Sequence, residues 1–199
     1  MIEKILRLGK EAVIYGLSSI VGRFLNFLLV PFYTNVFLPS EYGVIANLYA
    51  YVAFAMVVYV YGMDAAYMRY VASLEIGDKR QNFSTPFISL LVSSLMLSLV
   101  IQISAGPITG WIGMDQRHEV LVQYAAWILF FDALCSIPYA ALRMENKAGT
   151  FAAYRIFNIV VTIVLNIILI LGFGMKTEGV LLANLVASGL TFVLVVRSV

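Results

Sequence analysis

The chain has very few of the residues from which soluble enzymes build catalytic and metal sites. Its 199 residues include a single cysteine, Cys135, and a single histidine, His118. One cysteine excludes an intrachain disulfide, and the sequence has no CxxC pair or His/Cys cluster to bind a metal. Charged residues make up only 12% of the chain, and a net charge of +2 does not indicate a nucleic-acid-binding protein. We therefore expect no metal and no cofactor.

Apolar residues, in contrast, are abundant. They make up 62% of the chain, and the mean hydropathy is +0.92. A soluble domain of this size could not bury so much apolar surface, so the sequence predicts an all-α, multi-pass membrane protein. Because the basic start runs into an apolar stretch too long for a signal peptide, we interpret that stretch as a retained helix. Windows of about 20 apolar residues predict six spanning helices within one lobe, residues 1–199, at 12–37, 43–63, 84–105, 120–142, 152–173 and 178–196.

The loop charges predict how these helices are oriented. If the amino terminus is cytoplasmic, the only basic residues in the extracytoplasmic segments are Arg117 and Lys176. Cytoplasmic loops carry the excess of lysine and arginine, so both termini are predicted to be cytoplasmic. The cytoplasmic segments would then hold Lys4, Arg7, Lys10, Arg69, Lys79, Arg80, Arg143, Lys147, Arg155 and Arg197.

The first predicted span contains a charged residue, Arg23, within the membrane. A charge at that depth costs several kcal/mol, so such residues usually face a protein interior or a water-filled cavity. Advancing about 100° per residue places Ser19, Arg23 and Asn26 on one polar face of the helix. That face could line a substrate path, although its small residues could also pack against a neighbouring helix.

The fourth predicted span contains a second charge, Asp132. Cys135, Ser136 and Tyr139 follow at helical spacing and share its face. An acid inside a spanning helix is a candidate for proton or cation coupling, or for an ion pair with an arginine such as Arg23. The sequence leaves both roles open.

The fifth predicted span has a clear polar stripe that begins with Arg155 and Asn158 and continues through Thr162 and Asn166. A cation at the head of an amide-lined face is suited to capturing a phosphate group. Arg155 also lies near the cytoplasmic boundary, where a long side chain could reach the headgroup region instead.

Three stretches resemble oligosaccharide-lipid flippases of the polysaccharide biosynthesis family. They are GLSSIVGRFLNFLLVPFYTNVFLPSEYG, GMDAAYMRYVASLEIGDKRQNF, and LRMENKAGTFAAYRIFNIVVTIVLNIILI followed by GVLLANLVA. The resemblance implies one lobe of a two-lobe, non-enzymatic transporter in the bacterial inner membrane. Such a protein moves an undecaprenyl-diphosphate-linked oligosaccharide, a precursor of lipopolysaccharide O-antigen or another polysaccharide, by alternating access.

The resemblance also implies roles for particular residues. Cations in the cavity would contact the diphosphate and polar side chains the sugars. Arg23 is assigned by its position in the first-helix pattern, and Asp132 and Arg155 by helix and stripe. The predicted substrate-binding residues are Ser19, Arg23, Asn26, Arg155 and Asn158.

This chain, with six predicted helices, is shorter than the family members, which carry 12 to 14 helices as the resemblance implies. We expect either a fragment, which we favour, or a half-size protein that pairs with a second copy. Two other functions stay open: a cation-coupled multidrug extruder of the same superfamily, and a non-transporting helper subunit. A membrane-embedded transferase is disfavoured, because Asp64, Glu75 and Asp78 do not form a tight cluster of acids at one membrane face.

Overall fold

The structure is a computed structural model, and it describes residues 16, 20, 27, 29–73 and 79–198, without the side chains of residues 79 and 80. The described residues are almost entirely helical and contain no β-strand. Short 3-10 and π-helical turns occupy Gln116–His118 and Ile168–Gly172. The α-helices are α1 (residues 29–36), α2 (Pro39–Val60), α3 (Met63–Ser73), α4 (Lys79–Ile103), α5 (Ala105–Trp111), α6 (Glu119–Met144), α7 (Ala148–Ile167) and α8 (Thr177–Val196).

Helices α2 and α3 together form an apolar stretch of 35 residues that is broken by a sharp change in the backbone. An unbroken helix of that length would extend about 52 Å, far beyond the roughly 30 Å hydrocarbon core of a bilayer. The break lies at Tyr61 and Gly62, whose φ angles of 36° and 76° are left-handed. Left-handed backbone cannot continue a right-handed helix. Consequently α3 turns away and packs against α4 and α6.

Helix α6 is the innermost element of the bundle. Within its most apolar window 61% of the residues are buried, compared with 17% in the spans containing α4 and α7. Helices α2, α3, α4, α7 and α8 all contact it. Small side chains on α6 allow this close approach. They include Ala125, Ala126, Ala133, Ala140 and Ala141, all of them buried.

The outer helices expose apolar side chains, as a surface facing lipid requires. On α4, Ile88, Met96 and Val100 are each more than half exposed. Polar side chains on these helices instead point inward and join neighbours. The interhelical hydrogen bonds include Tyr33 Oη to Asn166 Oδ1 (3.0 Å), Asn184 Nδ2 to Tyr49 Oη (2.9 Å) and the Tyr59–Ser98 hydroxyl pair (3.0 Å).

The predicted fold class is confirmed: the chain is an all-α protein with five helices long and apolar enough to cross a membrane in the described part. They correspond to the second through sixth predicted spans. The first predicted span, 12–37, lies largely outside the described residues, although its end forms α1. The assignment of both termini to the cytoplasm stays a prediction.

Because α6 contributes more buried residues than any other described helix, truncating one of its buried leucines should destabilise the protein far more than truncating an exposed leucine. Leu134 is 0% exposed, whereas Leu171 is 62% exposed. We expect Leu134→Ala to cost about 2–5 kcal/mol through lost contacts and a residual cavity. Leu171→Ala should change stability by less than about 0.5 kcal/mol. Thermal unfolding in detergent measures both, and equal losses would contradict the central position of α6.

Candidate functional site

A cavity of about 290 Å³ opens beside the half of α6 that the predicted topology places toward the cytoplasm. We call it the arginine cavity. It is bounded by α2, α3, α6, α7 and α8. Its lining residues are Met56, Val60, Asp64, Asp132, Cys135, Ser136, Tyr139, Arg143, Arg155, Asn158 and Thr191.

Two arginines stand at one end of this cavity, where α6 ends and α7 begins. The Arg155 guanidinium carbon lies 5.0 Å from the ring centroid of Tyr139. That of Arg143 lies 4.9 Å from the ring centroid of Phe151. Within the described part of the chain, no carboxylate oxygen lies within 4.0 Å of either guanidinium. The two guanidiniums therefore contact neutral aromatic faces rather than a described acid, which leaves their positive charge available to an anion.

An acid occupies the deeper part of the same cavity. Asp132 precedes Arg143 by eleven residues on α6, which corresponds to about 16 Å along the helix axis. The Ser188 hydroxyl lies beside the Asp132 carboxyl, and Arg155 acts on it electrostatically. No described lysine or arginine lies within ion-pairing distance of Asp132. Ser136, one turn further along α6, has a buried hydroxyl oxygen without a hydrogen-bond partner among the described residues. The cavity therefore has a basic mouth and an acidic, polar interior.

A second cavity, of about 320 Å³, adjoins the first through Asn158, which lines both. We call it the asparagine cavity. The Asn158 side-chain amide donates to Thr191 Oγ1 at 3.0 Å, and this bond fixes α7 to α8 between the two spaces. The other lining residues are Leu29, Tyr33, Tyr49, Ile159, Thr162 and Asn184.

The opposite end of the bundle holds a larger cavity, of about 730 Å³, but its cations already have partners. Lys176 Nζ lies 2.6 Å from Glu41, and Arg117 lies 2.6 Å from Asp115. The hydrogen bonds from Arg117 hold the pKa of the Asp115 carboxyl below its usual value. Size alone therefore does not make this cavity the better anion site.

The structure brings three of the predicted site residues together. Arg155, Asn158 and Asp132 all line the arginine cavity. The other three, Ser19, Arg23 and Asn26, lie outside the described residues.

The polar stripe of α7 divides between two environments. Its first members face the cavities, whereas Asn166 at its far end is completely buried and accepts a hydrogen bond from Tyr33. Asn166 therefore joins two helices rather than lining a cavity.

Sequence reasoning missed the role of Arg143, which it counted only as a cytoplasmic loop charge. Tyr139 precedes Arg143 by four residues, and Phe151 precedes Arg155 by four. This repeated aromatic-to-arginine spacing is the signal that could have drawn attention to the pair.

The family model for polysaccharide biosynthesis proteins matches residues 35–199. The chain belongs to the polysaccharide biosynthesis protein family. The match covers every lining residue of the arginine cavity and confirms the resemblance that the sequence motifs carry. No curated protein matches the chain.

Two solved structures share the fold of this family member. One is an outward-facing multidrug resistance MATE family transporter of the MOP superfamily, with a TM-score of 0.70 and 19% identity. The other is a MATE protein in complex with MaD3S, with a TM-score of 0.71 and 21% identity. Each similarity covers 97% of this chain but 44% of the other. The chain thus spans less than half the length of these proteins and has the fold of one part of them.

If the arginine cavity holds water, Cys135, which lines it, should react with water-soluble reagents. Cys135 lines the cavity and is 4% exposed, whereas Ala133, two residues earlier on α6, is 0% exposed and does not line it. We expect a small water-soluble methanethiosulfonate to modify Cys135 faster than a cysteine placed by Ala133→Cys in a Cys135→Ser background. Mass spectrometry of timed samples measures both rates. Equal rates would contradict an aqueous cavity at this place.

Proposed function

We propose that this lobe forms one wall of a flippase for a lipid-linked oligosaccharide in the bacterial inner membrane. The substrate is an undecaprenyl-diphosphate-linked precursor of lipopolysaccharide O-antigen or a related polysaccharide, carried by alternating access. The observation that supports this most is the pair of exposed arginines that line the arginine cavity, neither of which has a described carboxylate oxygen within 4.0 Å. Membership of the polysaccharide biosynthesis family supports the sugar part of the substrate.

The chemistry of the cavity suits such a substrate. A guanidinium presents several N–H donors in a planar fork that matches phosphate oxygens, and it stays charged at all physiological pH values. Arg155 would contact the diphosphate, while Asn158 and the unpartnered Ser136 hydroxyl would serve sugar hydroxyl groups. Ser19, Arg23 and Asn26 are proposed for the same substrate on the sequence argument alone.

A second lobe would provide the opposite wall of the path. The related folds are more than twice as long as this chain, since the chain covers 44% of each. We propose that a second six-helix lobe, in the same polypeptide or in a second copy, faces the arginine cavity.

The alternative is a cation-coupled multidrug extruder. Asp132 favours it, because a carboxylate inside an apolar span is a suitable site for proton or cation coupling and also attracts cationic compounds. A flippase could also use Asp132 for ion coupling. The presence of Asp132 therefore does not by itself distinguish an extruder from a flippase, and an experiment is needed.

Neutralising Arg155 tests the flippase directly. If Arg155 contributes a charge-assisted hydrogen bond of about 1.5–3 kcal/mol, Arg155→Gln should weaken substrate handling roughly tenfold to a hundredfold. Lysine should rescue only part of the loss because it lacks the planar fork. Cells that depend on the variant should accumulate lipid-linked precursor and lose surface polysaccharide. The control is Arg197→Gln, an exposed arginine at the same end that does not line the cavity.

Full surface polysaccharide with Arg155→Gln would remove this residue from the mechanism. If Arg23→Ala also leaves the amount of surface polysaccharide unchanged, a helper subunit would be favoured over a flippase.

Asp132→Asn separates coupling from binding. The amide is nearly isosteric with the acid but carries no charge, so we expect substrate binding to persist while transport no longer responds to an imposed proton or sodium gradient. Proteoliposomes with defined gradients measure this response. Undiminished gradient dependence would exclude Asp132 as the coupling group. If cells with Asp132→Asn keep their surface polysaccharide but lose export of a cationic dye, the extruder is supported instead.

A further inference from the structure

The two arginines of the arginine cavity share a single aromatic ring. The guanidinium carbons of Arg143 and Arg155 lie 4.9 and 5.7 Å from the same centroid, that of Phe151. They are therefore no farther apart than the sum of those distances. The ring of Tyr139, which also contacts Arg155 at 5.0 Å, meets Phe151 edge to face at 5.2 Å.

Two like charges separated by no more than the sum of 4.9 and 5.7 Å repel each other, and the rings offset this electrostatic cost only in part. Each guanidinium gains a cation–π contact, and the two rings are held in place by their own edge-to-face packing. An anion that spans both guanidiniums would remove the remaining repulsion. A diphosphate is such an anion, because it offers a separate set of phosphate oxygens to each planar fork.

The other described charges at this end do not form a comparable pair. Lys147 is already paired with Glu145 at 2.7 Å. Arg69 and Arg197 are exposed but do not line the cavity. Asp64 and Asp132 line it without approaching either guanidinium within 4.0 Å.

We infer that Arg143 and Arg155 form a two-point site for a diphosphate, and that Phe151 and Tyr139 are positioning residues that set the spacing of the two guanidiniums. This inference rests on the proposed function and deepens it, because it makes the cavity selective for a diphosphate over a monophosphate. Phe151 is only 3% exposed and packs in a small core with Tyr139, Leu142 and Val195, so its ring is a fixed support.

The test compares two ligands that differ by one phosphate. Full-length protein containing this chain is placed in lipid nanodiscs, and its affinities for farnesyl diphosphate and farnesyl monophosphate are measured. The unmodified protein should prefer the diphosphate by about tenfold or more. Arg143→Gln and Arg155→Gln should each weaken diphosphate binding roughly tenfold to a hundredfold and monophosphate binding much less, which abolishes the preference. Arg197→Gln, the matched control, should keep it.

Variants of the shared ring test the positioning role. Phe151→Leu removes the aromatic face, and we expect the preference for diphosphate to fall by about threefold to tenfold. Phe151→Tyr keeps the aromatic face, so this variant should retain the preference for diphosphate. A residue that served only packing would lower affinity for both ligands alike, so the ratio of the two affinities distinguishes the roles even if stability falls.

The outcomes also separate this inference from the proposed function. Protein that flips substrate but retains its diphosphate preference after Arg143→Gln would overturn the two-point site and leave the flippase standing. Equal affinity of the unmodified protein for both ligands would do the same. Protein that neither flips lipid-linked oligosaccharide nor binds either farnesyl ligand would overturn both proposals.

Discussion

The cost of placing charge in hydrocarbon is the constraint on which this structure depends. Asp132 lies within a largely apolar span of α6, and lipid cannot solvate its carboxyl group. The bundle answers this by surrounding α6 with six other α-helices, so that the Asp132 side chain opens into a cavity instead. The small residues of α6, which let its neighbours approach closely, are therefore as necessary to the site as the charged residues themselves.

The same arrangement explains why charge is distributed unevenly along the cavity. The arginines stand where α6 and α7 meet, near the level expected for lipid headgroups, and Asp132 lies deeper. Asn158 connects this space with the asparagine cavity, so one face of α7 offers polar contacts over several turns. A path with a basic entrance and an amide-lined continuation is what a substrate with an anionic head and a sugar chain requires.

Hydropathy predicted the five long apolar helices of the described part, because the lipid requirement acts on composition and length rather than on tertiary contacts. Periodicity likewise identified Arg155 and Asn158 as members of one face. Two features depended on contacts between helices and were missed. Arg143 was treated as a loop charge, since its proximity to Phe151 follows only from the docking of α6 against α7. Asn166 continues the polar stripe in sequence, yet Tyr33 engages it and α1 covers it.

The account is tested most directly by measuring translocation itself. Full-length protein is reconstituted into liposomes with a lipid-linked oligosaccharide diphosphate that carries a fluorophore on its sugar, and a membrane-impermeant reductant bleaches the outer leaflet. In liposomes without protein the bleaching should stop at the outer-leaflet fraction. We predict that active protein exposes inner-leaflet substrate and carries the bleaching well beyond that fraction. Bleaching that stops at the same fraction with protein present, while the protein remains folded and binds the substrate, would contradict the central claim.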